Sequence, residues 1–365
     1  MSALSFSITP NPNPVSPETR EERLKNLGFG RLFTEHMVQI RYVEGVGWHD
    51  ARVEPYQSIS LDPAASVFHY GQAIFEGFKA FSQEGGGVAT FRPDANARRF
   101  QSSAERLAMP SLPEDVFVQA ADLLIQQDQH WVPRRDGESL YLRPLMIATE
   151  AALGVRPARE YLFLLIASPS GAYFPKGVRP VSVWISKNYV RAAPGGTGDT
   201  KCAGNYAASL VAQRQANLAG CDQVVWLDAV KRTDVEEMGG MNLFFVYGSG
   251  KSARLVTPRL TGSLLPGITR DSLLTLAADL GYATEEGTIT VDDWRRGVDR
   301  GEITEVFACG TAAVITPVGE VKSDSGSFLI HGGETGPIAA ELRQRLLDIQ
   351  YGRRPDEHGW VHRVI

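Results

Sequence analysis

The stretch YVRAAPGGTGDTKCAGNY, Tyr189 to Tyr206, decides how the rest of the chain is read. It sets Lys201 between a glycine-rich approach and an alanine-rich helical run. Of the chain's eight lysines it stands in the least surface-like setting. Glycines let backbone come close to a ligand. A lysine beside them, followed by Asn205 and Tyr206, can form a Schiff base with a carbonyl compound. An amine attacks only when neutral, and burial or a neighbouring cation favours that state. Arg191, upstream, is one candidate cation. The plainer alternative is a surface lysine in a loop, which is what an arbitrary lysine usually is.

Downstream, AGNYAASLVAQRQANLAG favours a helix through its alanines, and Gly220 suits its C-terminal cap. QVVWLD reads as a short buried strand. VEEMGGMNLFFV then sets Glu236 and Glu237 before a glycine pair and another strand. A carboxylate beside a pyridine nitrogen keeps that ring protonated, and a protonated ring is the better electron sink. A solvent-facing Glu in a turn is the alternative. In LTGSLLPGITRDSLLTLAADLG, Pro266-Gly267 makes a turn and Thr269 is placed to cap the helix that follows. Helix N-termini carry unpaired N–H groups and a partial positive charge, so they suit phosphate. EITEVFACGTAAVITPVGEV reads as strand, Gly-Thr turn, strand. There the Thr311 hydroxyl can meet a phosphate, and the N–H groups of Thr311 and Ala312 a carboxylate. A last helix starts near Pro337.

Upstream, PVSVWISKNYVRA reads as a strand leading to Arg191. PSGAYFPKGVRP, rich in proline and glycine, is the best linker in the chain. YLFLLIAS is a continuous apolar run, hence a buried strand. In SLYLRPLMIATEAALGV, Tyr141 and Arg143 stand two apart, on one face of a strand. A structural reading gives Arg143 an acidic partner. FRPDANARRFQSSAERLAMP reads as a helix with Asp94 as N-cap, and Val116 to Gln127 as a second packing helix. Arg98 and Arg99 are both candidates for a buried anion site, and spacing alone leaves either as a surface charge. VFHYGQAIFEGFKAF reads as a core strand and then a short helix, with Tyr70, Phe75 and Lys79 facing a pocket. FGRLFTEHMVQIRYVEGVGWHDARV alternates as strands and turns do. TPNPNPVSPE, before it, cannot form a regular element, so residues 1–27 are expected to be a mobile arm.

RAxPGGTGxxKxxGNY, HYGQxxFEGxKAF and LPGxTRxSLL are all strings of the branched-chain aminotransferases, and the chain resembles that family over about residues 28–360. The resemblance implies an α/β, two-domain, fold-type IV enzyme like the D-amino-acid aminotransferases, a homodimer with pyridoxal 5'-phosphate between its domains. It implies a small α/β domain at 28–170, a linker at 171–187 and a large α/β domain at 188–365 that carries the cofactor lysine. Lys201 would hold the cofactor covalently and act as the catalytic base. The family spacing of Glu, two residues, Gly, one residue, Asn is met by Glu237, Gly240 and Asn242 and selects Glu237 for the ring nitrogen. Tyr206 would reach the ring oxygen. Arg99, Ile268, Thr269, Thr311 and, less directly, Arg191 would hold the phosphate, with Gly240 beside the cofactor. Phe29, Tyr70, Phe75, Tyr141, Arg143 and Tyr173 would surround the substrate, with Leu153 and Val155 reaching the other subunit's pocket. Thr311 and Ala312 would take the substrate carboxylate. Mammalian members carry a CxxC pair after the Gly-Thr turn; Ala313 and Thr316 stand there in this chain, so redox regulation is not implied.

Composition agrees with an enzyme of small molecules. The chain has 365 residues, 43% hydrophobic and 22% charged, with a net charge of −5 that offers no basic field for nucleic acid. No apolar run reaches the ~18 residues a membrane span needs, and the N-terminus lacks a secretory pattern. Cys202, Cys221 and Cys309, an odd set without paired spacing, fit reduced thiols in a cytoplasm. The histidines have no metal-ligand spacing, and GSGKS at Gly248 lacks the upstream glycine of a phosphate loop. The expected substrates are leucine, isoleucine, valine, their 2-oxo acids and the 2-oxoglutarate/glutamate pair. The rivals are a D-amino-acid aminotransferase, an aminodeoxychorismate lyase and a non-catalytic pyridoxal-phosphate carrier.

Overall fold

The computed structural model describes residues 4–171 and 178–365. The chain packs as two units. Met1–Pro175, Thr200–Ala203 and Asp348–Ile365 form the first; Lys176–Asp199 and Gly204–Leu347 form the second. One cut in the linker, separating 28–170 from 188–365, misses two returns of the chain. The C-terminal residues from Asp348 rejoin the first unit, and so does the peptide of Lys201. The second return has a local cause: Phe75 N–H donates to the Lys201 carbonyl at 3.0 Å, and Ile74 bridges Cys202 as a strand neighbour would.

The first unit holds β1 (Phe6–Ile8), α1 (Pro17–Leu24), β2 (His36–Val43), β3 (Gly47–Pro55), α2 (Ser66–Tyr70), β4 (Ala73–Phe75), β5 (Phe78–Ser82), β6 (Val88–Phe91), α3 (Pro93–Arg106), α4 (Glu114–Gln127), β7 (Ser139–Ala148) and β8 (Glu160–Ser170). The N-terminal arm is therefore not irregular. Ser16 caps α1 by accepting from Thr19 N–H, and Pro17, read above as a breaker, occupies the first turn, where no partner is needed for the N–H it lacks. β1 pairs in parallel with β3. The stretch after Ala65 also runs opposite to expectation: the short helix α2 comes first, ends at Gly71 in the left-handed region (φ 64°), and strands follow. In α3 the cap position is Arg92, which puts Asp94 in the first turn.

The sheet of the first unit runs β1-β3-β2-β8-β7-β5-β6, with β4 also on β7. Alternation along β7 sorts its side chains. Leu140, Leu142, Met146 and Ala148 join the core under α3 and α4, with Phe100, Phe117, Leu124 and Phe163. Tyr141, Arg143, Leu145 and Ile147 fall on the opposite face. At ~25 cal/mol per Å² of apolar area, each fully buried ring or branched side chain of this core contributes roughly 1.5–3 kcal/mol.

The second unit follows with β9 (Val181–Ile185), α5 (Ala203–Ala207), α6 (Leu210–Leu218), β10 (Gln223–Leu227), β11 (Val235–Met238), β12 (Met241–Tyr247), β13 (Arg254–Pro258), α7 (Ile268–Asp279), β14 (Ala283–Gly287), α8 (Val291–Asp299), β15 (Ile303–Gly310), β16 (Val314–Ser323), β17 (Gly326–Leu329) and α9 (Pro337–Gln350). β18 (Val361–Arg363) closes the chain back on β6 of the first unit. The second sheet runs β11-β10-β9-β16-β15-β12-β13-β14, and β11 also pairs β12. That extra pairing closes the six strands from β11 to β12 on themselves, so β11 is no longer an edge strand. α6 ends as its glycine predicts. Gly220 takes φ 69°, its N–H donates to Asn217 O at 3.0 Å, and Cys221 N–H reaches Ala216 O at 2.8 Å.

Candidate active site

In the first unit, three consecutive residues organise the surroundings of Lys201. Phe75 lies under the amine, with Lys201 Nζ 5.0 Å from its ring centroid, and its N–H holds the Lys201 carbonyl. The Lys201 N–H donates to Ser103 Oγ on α3 at 3.0 Å. The same Phe75 ring carries the Arg143 guanidinium at 4.8 Å. Glu76, fully buried, forms a two-point pair with Arg99: Nε to Oε1 is 2.7 Å and Nη2 to Oε2 is 2.9 Å. Gly77 has to be glycine, because a Cβ there would overlap the Tyr141 hydroxyl.

Around them, Arg143 donates to Tyr141 Oη at 3.2 Å and stacks on its ring at 5.4 Å. The acidic partner expected for Arg143 is not what the structure gives; aromatic faces and a phenol oxygen take that place, and Nε is buried without a hydrogen bond among the described residues. An arginine held by π faces keeps its charge for a ligand. Phe29 packs edge-on against Tyr141 at 5.0 Å. Tyr70 donates its hydroxyl to the Leu153 carbonyl, which ties the following loop in place while Leu153 and Val155 stay 65% and 84% exposed. Lys79 is buried on β5. Tyr173 lies outside the described residues.

The second unit builds a different kind of place. Glu237 on β11 is 2% exposed. Its Oε1 accepts from Asn242 Nδ2 at 3.1 Å and from Leu265 N–H at 2.9 Å. Its Oε2 stands 2.7 Å from Arg191 Nε, an ion pair by distance in which the N–H is not aimed for a hydrogen bond. Arg191 Nη2 donates to the Gly198 carbonyl at 3.0 Å and to the Ser263 carbonyl. Arg191 thus acts on Glu237 and on the glycine-rich loop. Glu236 points elsewhere: it accepts from Ser263 Oγ, and burial pushes its carboxyl above the usual range.

Asn242 also donates to the Leu265 carbonyl at 3.0 Å, just before the turn into α7. A Cβ at Gly267 would overlap Asn242 Oδ1, so the glycine of that turn is required by the carboxylate's own anchor. α7 begins with Gly267 as its cap and no capping side chain. Thr269, expected as the cap, is the second residue of the helix. The N-terminus is therefore left to the backbone N–H groups of Ile268 and Thr269. Thr311 and Ala312, both half-buried, make the turn between β15 and β16. Val314, which ends that turn, takes φ 63°, a left-handed backbone that β-branched residues rarely adopt. Gly240 faces the Tyr206 ring, 3.5 Å from where a Cβ would sit. Burial pushes the Cys309 thiol up, which keeps it inert beside the turn. Two partners were not assigned a role from the sequence: Glu76, visible inside FEG, and Ser103, the serine of the Ser-Ala step that follows Arg99.

The first unit thus holds a half-buried amine set on an aromatic ring, and the second a buried carboxylate held at three points and a helix start without a side-chain cap. A profile of the amino-transferase class IV family matches residues 73–321, and the chain belongs to that family. Within it, the similarity is to the branched-chain enzymes. The branched-chain-amino-acid aminotransferase of Mycolicibacterium smegmatis is 61% identical, over 99% of this chain and 98% of that one. The probable branched-chain-amino-acid aminotransferase of Streptomyces coelicolor is 58% identical over 99% of each. Among solved structures, the branched-chain amino acid aminotransferase of Escherichia coli superposes with a TM-score of 0.72 at 26% identity, covering 91% of this chain and 99% of that one. Among the described residues no helix is long and apolar enough to cross a membrane, and no cluster of ligating side chains is set for a metal ion.

Proposed function

We propose that the chain is a branched-chain amino-acid aminotransferase that uses pyridoxal 5'-phosphate to move the amino group between L-leucine, L-isoleucine or L-valine and 2-oxoglutarate. The observation that carries this reading is Lys201, whose Nζ lies over Phe75 with its own backbone locked to Phe75 and Ser103. Such a lysine is a positioned amine rather than a surface charge. The donors present fit the cofactor. Lys201 suits its aldehyde, Glu237 its ring nitrogen and Tyr206 its ring oxygen. The uncapped start of α7 at Ile268 and Thr269, the Thr311 hydroxyl and Arg99 suit its phosphate, with Gly240 beside it. Bound there, pyridoxal phosphate supplies a carbonyl for the amine and a ring that withdraws electrons.

The chain's own residues do the rest. Lys201 Nζ takes the α-proton of the amino acid and returns it, a transfer worth ~10²–10⁴ in rate. Glu237, held from three sides, keeps a negative charge at a fixed point. Phe29, Tyr70, Phe75 and Tyr141 offer aromatic walls to a branched side chain, and Arg143, mounted on two of them, offers a cation to the second carboxylate of glutamate. The N–H groups of Thr311 and Ala312 take the α-carboxylate. Leu153 and Val155, exposed on a tethered loop, and Tyr173 complete the pocket in a homodimer. The buried unpaired cysteines support a reducing compartment, the cytoplasm.

The test is the absorbance of the purified holoenzyme. L-Leucine should shift the visible band to the amine form, and 2-oxoglutarate should restore it; Lys201→Ala should abolish the band's lysine-bound form. A response to D-alanine but not to L-leucine would overturn the substrate assignment in favour of the D-amino-acid rival. A band that no amino acid shifts would make the chain a carrier.

A further inference from the structure

Residues 9–15, TPNPNPV, alternate with proline, so only Thr9, Asn11, Asn13 and Val15 carry a backbone N–H there. Each of these N–H groups has an acceptor. Thr9 donates to the Val53 carbonyl at 2.9 Å, and Asn13 to Asn11 Oδ1 at 3.0 Å. Val15 donates to Glu35 Oε1 at 2.6 Å, and Asn11 to Nε2 of His36 at 2.9 Å. The last of these bonds fixes the state of the imidazole. A backbone N–H can only donate, so Nε2 offers its lone pair and the ring's one proton sits on Nδ1. Nδ1 lies 2.6 Å from Asp128 Oδ1, and the His36 backbone N–H donates to Asp128 Oδ2 at 2.9 Å. His36 and Asp128 are both buried.

The two partners of the ring favour opposite protonation states. Asp128, which follows α4, attracts a second proton. Its hydrogen bond first, against burial, and then its charge and that of Glu35 raise the ring above its ordinary 6.5. Of the other elements against the ring, β3 brings Pro55 and the arm brings Asn11, and neither is charged. A second proton would have to sit on Nε2, where two N–H donors would then face each other at Asn11.

We propose that His36 is a pH-sensitive latch for the N-terminal arm: the neutral ring holds the arm at Asn11, and a proton on Nε2 releases it. Docking uses the unprotonated ring. It is therefore complete above the value at which the released ring takes its proton. It weakens as pH falls through that value, by about tenfold per unit for one proton. Release uncovers the ring and removes the burial that opposes the proton, while Asp128 stays bonded to the His36 backbone. The weakening therefore begins on the neutral side of 6.5.

The test follows single amides of the isotope-labelled full chain by hydrogen exchange from about pH 5 to 8, each rate corrected for the intrinsic pH dependence of exchange. The Asn11 amide should keep constant protection at the upper end and lose about tenfold per unit below the His36 midpoint. The Thr34 amide, two residues from His36 and bonded to the Ala167 carbonyl at 3.0 Å, should stay flat. His36→Gln keeps an acceptor and gains no proton, so its Asn11 amide should become insensitive to pH. Asn11→Pro removes the N–H outside the core and serves if His36→Gln does not fold. In that variant the proton affinity of His36, read from its imidazole resonances, should rise roughly tenfold, the reciprocal of the docking it loses. A flat Asn11 profile in the parent, an equal fall at Thr34, or a pH dependence that survives in His36→Gln would each overturn the latch. So would a His36 midpoint that Asn11→Pro leaves in place.

Discussion

Two helices of the second unit begin at comparable turns, and among the described residues a carboxylate from a neighbouring strand closes one of them, α9. α9 starts at Gly336-Pro337, and its Ile338 and Ala339 N–H groups donate to Glu305 Oε1 and Oε2 at 3.0 and 2.9 Å. Glu305 comes from β15 and is 4% exposed, and a Cβ at Gly336 would overlap its carboxylate. α7 starts at Pro266-Gly267 with no side-chain cap. Both starts use a glycine because an acceptor must come close: a carboxylate of this chain at α9, and at α7 the Asn242 amide that steadies Glu237. The same kind of anion slot is thus a structural joint in α9 and, on the function proposed above, a seat for a phosphate in α7. A helix start built on glycine and proline does not distinguish them; the strand packed beside it does.

The largest effect should come from making α7 resemble α9. Ile268→Asp sets a carboxylate at the first turn of α7, where acids ordinarily stabilise a helix by ~0.3–1 kcal/mol. The apoprotein should melt no lower than the parent. Its pyridoxal phosphate dissociation constant should rise by roughly 100-fold, since like charges set against each other at a binding site cost several kcal/mol. An unchanged constant would remove α7 from the phosphate site and break the comparison. The converse substitution is Glu305→Gln. It removes a buried charged acceptor from two N–H groups, each such bond being worth ~1.5–3 kcal/mol. Stability should fall by about 3 kcal/mol in denaturant titration, while cofactor affinity in the folded protein changes less than about twofold. A large loss of cofactor affinity there would mean that α9 is coupled to chemistry as α7 is.

This contrast also marks where the sequence was legible. LPGITRDSLL announced a helix and its turn, but the capping role fell on Gly267, not Thr269. A side chain at the cap is a local matter, whereas the close approach of Asn242 from β12 is a tertiary one. Lys201 and Glu237 were singled out by the family strings, whereas alternation along a strand by itself put Tyr141 and Arg143 on one face. Glu76 was not singled out, because a buried carboxylate in an aromatic stretch looks like any other until its arginine is in place. Arg191 was read as a phosphate ligand of a less direct kind, and its contacts go to Glu237, Gly198 and Ser263. TPNPNPVSPE misled through its prolines, which exclude helix interiors but start helices well, as Pro17 does behind Ser16.

The smallest effect belongs to α8, which closes its own N-terminus with a reciprocal pair: Thr290 Oγ1 accepts from Asp293 N–H at 3.0 Å, and the Asp293 carboxylate accepts from the Thr290 hydroxyl at 2.6 Å. Thr290→Ala should cost ~1 kcal/mol and leave the cofactor site untouched. The loss should depend on pH. The Thr290 hydroxyl first, then Arg296, hold the Asp293 carboxyl below its ordinary 3.8. A carboxylate whose folded value is depressed contributes stability above its unfolded value and loses it as pH falls through the folded one. Parent and variant should therefore differ by a constant amount at neutral pH and converge as the solution is taken below pH 3.8. A difference that persists undiminished in acid would show that the hydroxyl alone, without the carboxylate, closes the helix. In that case α8 would hold its start as a neutral cap, unlike α9, where the stabilising group is the charge itself.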